Sequence, residues 1–416
     1  MRNLITLLVL PFCIHIAFGQ EDTTLVLNTF LKEKSNSSWT DKFTIGGYMQ
    51  LRNNDLYKTN PDLTSPQGDR TYGGYHGFSL RRMRMKISGQ IHERVYFYFQ
   101  ADFASDGKNL GQLRDAYFDY SLDKEGRFKL RAGQSKVPYG FENLQSSQNR
   151  LAPDRDDPLN SAFKDERDLG IGIHYATKEV RQRFKDISKK GLKGTGDYGM
   201  INFTMINGQK ANEVIPNVKK APHMVLRASY PFLLSNGQYI EASLQGYTGQ
   251  YTPTNISDDV NVLNRFDNNL DPIPALHHKF RDERIAASFV VYPQPFGIQA
   301  EYNFGKGPEY DVQTNTVDTK SLNGGYLQLM YMKKYKDQVV VPFARGQFYE
   351  GGKKFELDAS SYNMKELELG IEWQPVKAFE FTALYVFGER TILNSKTGPK
   401  NTEKGQLLRI QLQINY

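Results

Sequence analysis

Cysteine is almost absent from this 416-residue chain: the only one is Cys13. Beyond that position the chain has no thiol, no disulfide and no cysteine metal site. Tryptophan is nearly missing too, with 2 residues against 25 Tyr and 26 Phe. After Ile16 no run of roughly 18 apolar residues occurs, which excludes a helical membrane protein. No G-x-S-x-G, H-E-x-x-H or P-loop pattern is found, so the soluble enzyme classes built on them lack support. Charge of one sign does not dominate either. The formal net charge is +7, too modest to indicate a nucleic-acid partner.

What is present sits first at the two ends. Met1 to Gly19 reads as a secretory signal, with Arg2 as the charged start, Leu4 to Ile16 as the apolar stretch and Ala17-Phe18-Gly19 as the cleavage site. Residues 20–42 are polar and read as a periplasmic lead-in. At the other end Leu408, Ile410, Leu412, Ile414 and Tyr416 alternate with Arg409, Gln411, Gln413 and Asn415. Period-2 alternation places the two sets on opposite faces of a strand. An apolar face ending on an aromatic residue matches the closing strand of an outer-membrane barrel, which the barrel-assembly machinery would engage through the strand ending at Tyr416.

Between the ends, alternation and turn signals predict strands near 43–52, 77–90, 95–103, 112–121, 128–136, 168–176, 199–207 and 221–231. A second set follows near 239–250, 285–293, 297–305, 324–332, 339–349, 364–374, 379–388 and 405–416. No long amphipathic helical pattern is evident. The fold class is all-β: a 16-stranded antiparallel transmembrane β-barrel over 43–416, with short periplasmic turns and long extracellular loops. The connections 53–76, 137–167, 251–284 and 306–323 are the long ones. The connection 177–198 falls on the turn side yet is long and rich in Lys and Arg.

Lipid decides the orientation. Arg82, Arg84 and Lys86 alternate with Met83, Met85 and Ile87, and a basic side chain at the bilayer midplane costs about 2–4 kcal/mol. The basic set therefore faces the lumen. By the same parity Lys129, Arg131, Arg227, Arg345 and Arg409 point inward. So do Asp102, Asp115, Asp119, Glu241, Glu301, Glu366, Glu368, Glu372 and Glu380. Side chains alone cannot fill a barrel of this size, so an aqueous channel is expected. A basic lumen attracts small anions such as phosphate. One basic wall facing one acidic wall gives the alternative, a diffusion pore of weak selectivity. A loop-based receptor barrel and a barrel enzyme are the remaining readings. His277-His278 in a long loop reads as a solvated pair rather than a metal site, and no cofactor is implied.

Several motifs in order resemble one family. Phe78-Ser79-Leu80-Arg81-Arg82-Met83-Arg84, Leu113-Arg114-Asp115-Ala116-Tyr117, Gly133-Gln134-Ser135-Lys136-Val137-Pro138-Tyr139-Gly140 and Arg167-Asp168-Leu169-Gly170 are similar to the phosphate-selective porin O and P family of Gram-negative outer membranes. The resemblance implies a homotrimer of sixteen-stranded barrels and an inward-folded third loop, here 137–167. That loop carries Arg150, Arg155 and Lys164 beside Asp154, Asp156 and Asp157. It also implies anion conduction over arginines and a central lysine, for which Arg82, Arg84 and Lys136 are the matching positions. The candidate solute-binding set is thus Arg82, Arg84, Lys86, Lys129, Arg131, Lys136, Arg150 and Arg155.

Overall fold

The computed structural model describes residues 42–57, 77–104, 111–209, 211, 222–262 and 278–416. The signal segment 1–19, nearly all of the lead-in, His277 and most of the connection 53–76 lie outside the described residues. Sixteen strands build the wall. They are β1 (Phe43–Tyr57), β2 (Gly77–His92), β3 (Val95–Asp102), β4 (Gln112–Ser121), β5 (Phe128–Lys136), β6 (Arg167–Tyr175), β7 (Ile201–Ile206) and β8 (His223–Leu233). Then come β9 (Tyr239–Tyr251), β10 (Phe280–Val291), β11 (Phe296–Asp311), β12 (Thr316–Tyr331), β13 (Gln338–Gly352), β14 (Ser361–Val376), β15 (Phe379–Leu393) and β16 (Thr402–Asn415). Each pairs antiparallel with the next, and β16 pairs with β1 to close the barrel. Closure removes the open sheet edges, so the paired strand N–H and C=O groups across the bilayer are satisfied without water.

The last residue seals the seam. Gly47 N–H donates to the Tyr416 carbonyl at 2.8 Å, Tyr416 N–H returns a bond to the Gly47 carbonyl, and the Tyr416 hydroxyl donates to the Arg84 carbonyl. A Cβ on Gly47 would stand 2.1 Å from that same Arg84 oxygen. Glycine is therefore required where the terminal aromatic crosses the seam.

The burial pattern is inverted relative to a soluble protein. Leu244, Ile285 and Leu367 are 60, 50 and 47 % exposed, while Arg227, Arg345 and Arg409 are at most 3 % exposed. An apolar exterior of this extent is stable only against lipid. Every inward position expected for the basic and acidic strand residues is borne out, with Glu380 half-buried and the other eight acids buried.

Three expectations need correction. Residues 306–323 are not a long loop: β11 and β12 run on as a hairpin that turns at 312–315. The Lys, Thr and Ser residues of this stretch stand clear of the apolar band, so alternation had no contrast to reveal it. The connection 177–198 contains an amphipathic helix, Lys178–Lys189, capped by the Thr177 side chain and burying Val180, Phe184 and Ile187. Third, much of the lumen is filled. The third loop does fold inward, and its Phe141, Leu151 and Ala152 pack with Ile187 and Leu192 of the 177–198 connection against Tyr292, Met330 and Val341 of the wall. A second cluster joins Tyr139, Leu159 and Phe163 of the loop to Val225, Tyr247 and Tyr326. These apolar contacts stabilise the loop at about 1.5–3 kcal/mol per fully buried large side chain. Solvent is confined to what they leave open.

Candidate permeation site

Two adjoining cavities, of about 390 and 80 Å³, occupy the open part of the lumen. Both are lined by Arg81, Arg82, Arg155, Asp157, Asn160 and Glu166. Arg81 and Arg82 are consecutive, so a regular strand would send one of them into lipid. A β-bulge prevents this: Gln50 pairs with Arg82 and Leu51 with Leu80, leaving Arg81 unpaired. The same device recurs on β4, where Gln100 pairs with Asp115 and Ala101 with Leu113, turning Arg114 into the lumen beside Asp115. Bulges of this kind re-aim a side chain at the cost of one ladder step. Nothing in the alternation of a single strand signals them, which is why Arg81 and Arg114 are absent from the candidate set.

The third loop is pinned from several directions. Glu301 on β11 accepts from the backbone N–H groups of Phe141 and Glu142, at 2.5 and 2.9 Å. Arg345 on β13 grips Glu142 at 2.8 Å and Glu368 at 2.7 Å, and also donates to the Asp154 carbonyl. Arg52 and Arg409 meet Asp154 at 2.7 and 2.5 Å, Lys353 meets Asp157 at 2.7 Å, and Arg284 donates to Ser161. At the far end Asp165 and Glu166 have φ of 61° and 59°, a strained conformation costing about 1–3 kcal/mol per residue. Arg114, Arg155 and Arg167 hold those two carboxylates in place.

The eight candidates separate by how their charge is met. Arg84 pairs with Asp102 at 2.7 Å. Arg131 forms a two-pronged contact with Asp119 at 2.7 and 2.9 Å and covers the ring of Tyr117 at 4.0 Å. Arg155 pairs with Glu166 at 2.7 Å. Lys136 donates to the carbonyls of Leu144 and Gln145 at 2.8 and 2.6 Å, tying the root of the loop to its first helix. Lys86 and Lys129 are half-buried and have no ion pair among the described residues. Arg82 donates to Gln50 at 2.8 Å and Arg150 to the Pro153 carbonyl at 3.0 Å, and neither meets a carboxylate among the described residues. Buried Nε of Arg82 and both Nε and Nη1 of Arg150 have no hydrogen-bond partner among the described residues. Arg81, Arg84 and Arg150 all stand close enough to repel the Arg82 guanidinium. The expected separation into one basic and one acidic wall is thus replaced by local pairing, with an unmatched positive focus at Arg82 and Arg150.

A contact from the periplasmic side was not foreseen. Past the helix Lys178–Lys189, Lys193 enters the lumen and meets Glu372 at 2.6 Å, and its carbonyl accepts from the Gln145 side chain of the third loop. The loop and this strap meet inside the barrel. His223 and Asp282, 2.8 Å apart, are fully buried beneath Phe163 and Tyr247, so they tie strands together rather than face solute.

Comparison with known proteins agrees with this geometry. The profile of the family described as phosphate-selective porin O and P matches residues 61–416. No curated protein matches. Among solved structures, the trimer form of Vibrio cholerae OmpT, folded in vitro, aligns with a TM-score of 0.50 at 10 % identity, over 90 % of this chain and 100 % of that one. Salmonella typhi OmpF, in complex with daunomycin, aligns with a TM-score of 0.50 at 12 % identity, over 90 % and 97 %. At such identity the likeness is one of fold.

Proposed function

Since the chain belongs to the phosphate-selective porin O and P family, an outer-membrane porin family, we propose that its channel selects anions, with phosphate or a similar oxyanion resting at Arg82 and Arg150. The observation that carries this reading is the pair of buried guanidiniums with vacant N–H donors, one of them on the wall of the main cavity. A guanidinium presents donors in a planar fork that fits two oxyanion oxygens at once. Arg81, Arg114, Lys164 and Lys353 line the same cavity. Lys164 has no ion pair among the described residues and extends the positive approach, whereas Arg114 and Lys353 are matched by Asp165 and Asp157 and Arg81 stands 3.6 Å from Asp154. The carboxylates that match Arg84, Arg131 and Arg155 limit that field, and they favour a second reading, a wet pore of weak selectivity.

The same reading takes 1–19 as the export signal, 20–42 as a periplasmic lead-in, three copies as the assembly and Tyr416 as the end presented to the barrel-assembly machinery. Phosphate titration of the chloride current through single channels tests the site. Saturable block is expected in the wild type, weakened roughly tenfold or more in Arg82→Gln, the scale of one charge-assisted hydrogen bond. Absence of block in the wild type would leave the weakly selective pore.

A further inference from the structure

We propose that the outer wall over β13 to β16 binds a phosphorylated, acylated lipid of the outer leaflet, with acyl chain in a groove and phosphate on Lys365 and Lys404. Strand register sets out the surface in rungs. One outward rung reads Gly346, Leu367, Phe387 and Gln406. The next, toward the long-loop side, reads Phe348, Lys365, Glu389 and Lys404. Glycine among large residues leaves hollows. A depression of about 820 Å³ lies on this wall, and it adjoins one of about 480 Å³ over β10 to β13, with which it shares Gly346 and Phe348. A Cβ built on Gly346 would meet no atom within 4 Å, so the hollow at that point is open.

Charge selects the occupant. The rungs below are apolar, with Ala344, Leu369, Tyr385 and Leu408 outward. The two lysines therefore stand where hydrocarbon gives way to headgroups on the extracellular side, and lysines there extend toward the interface. Lys404 pairs with Glu389 at 3.1 Å, whereas Lys365 has no ion pair among the described residues. The lysines are two strands apart, roughly 10 Å at the backbone, within the reach of flexible side chains for one phosphate group. A second barrel pressed on this wall would bring a convex apolar surface, which fills neither the hollow nor the charge of Lys365.

The experiment uses the full chain, purified in detergent and examined by native mass spectrometry with added bis-phosphorylated, hexa-acylated lipid A and with its dephosphorylated form. The wild type is expected to retain the phosphorylated lipid at least tenfold more strongly than the dephosphorylated one. Lys365→Glu with Lys404→Glu should abolish that preference. Gly346→Trp, which fills open space, should weaken both lipids while the barrel still runs as a folded species on unheated gels. Equal binding of the two lipids, or undiminished binding by both variants, overturns the proposal. So does a change of oligomeric mass in Gly346→Trp, which would put a second copy in the groove.

Discussion

Arg345 offers the sharpest perturbation of the third loop. Its guanidinium is 1 % exposed and spans Glu142 of the loop and Glu368 of the wall. Burial pushes the Glu142 carboxyl up, and Arg345, together with hydrogen bonding from Asp156 and the nearby charge of Arg150, more than offsets this, holding it below the ordinary carboxylate range. Replacing Arg345 with Met keeps much of the volume but leaves two buried carboxylates facing each other without a counter-ion. Loss of one partner of a buried pair costs about 3–5 kcal/mol, enough to repopulate the loop by a factor of roughly a hundred or more at 1.4 kcal/mol per decade. The contacts of Glu301, Arg52 and Arg284 remain, so the loop should loosen rather than leave. Single-channel recording of Arg345→Met is expected to show larger conductance with frequent transitions. Adding Glu142→Gln and Glu368→Gln removes the stranded charge and should quiet the trace. A wild-type trace from Arg345→Met alone would refute the claim that this cluster sets the aperture.

Two further outcomes follow from the same contacts. Asp156 caps the short helix Asp157–Asn160 through one oxygen, and burial together with Glu142 raises its carboxyl well above the ordinary value. A raised carboxyl costs stability as pH climbs from its unfolded value to its folded one, so Asp156→Asn, which keeps the cap, should raise the thermal unfolding temperature at neutral pH. A fall there would contradict the burial argument. Lys193→Ala breaks the ion pair with Glu372 and frees the periplasmic strap. Conductance should rise, and unchanged conductance would mean that the strap stands outside the ion path.

The wall was legible in the sequence because lipid enforces a strict rule on every second residue. Arg82, Arg84 and Arg131 on one parity and Met83, Met85 and Leu130 on the other leave a single orientation. The rule fails where the backbone breaks step, at Arg81 and Arg114, because a bulge is a two-strand event invisible in either strand alone. It also fails once the chain leaves the bilayer. The hairpin turning at 312–315 and the helix Lys178–Lys189 face water on most sides, where alternation carries no energetic penalty. The candidate site divides along the same line. Inward direction was legible for five of the six strand candidates, Lys136 sharing the outward parity of Leu130 and Ala132 and entering only through the family motif. Whether a guanidinium is spent on a carboxylate, however, depends on partners far along the chain. Arg155 with Glu166 and Arg345 with Glu142 are tertiary facts, and so is the unmatched state of Arg82.

The central claim, an unmatched positive focus governing permeation, is tested most directly by the reversal potential in a planar bilayer across a tenfold KCl gradient. The wild type should reverse on the chloride side of zero, and Arg82→Glu with Arg150→Glu should move the reversal toward or past zero. A wild type that reverses at zero, or a double variant with the same potential as the wild type, would contradict the account.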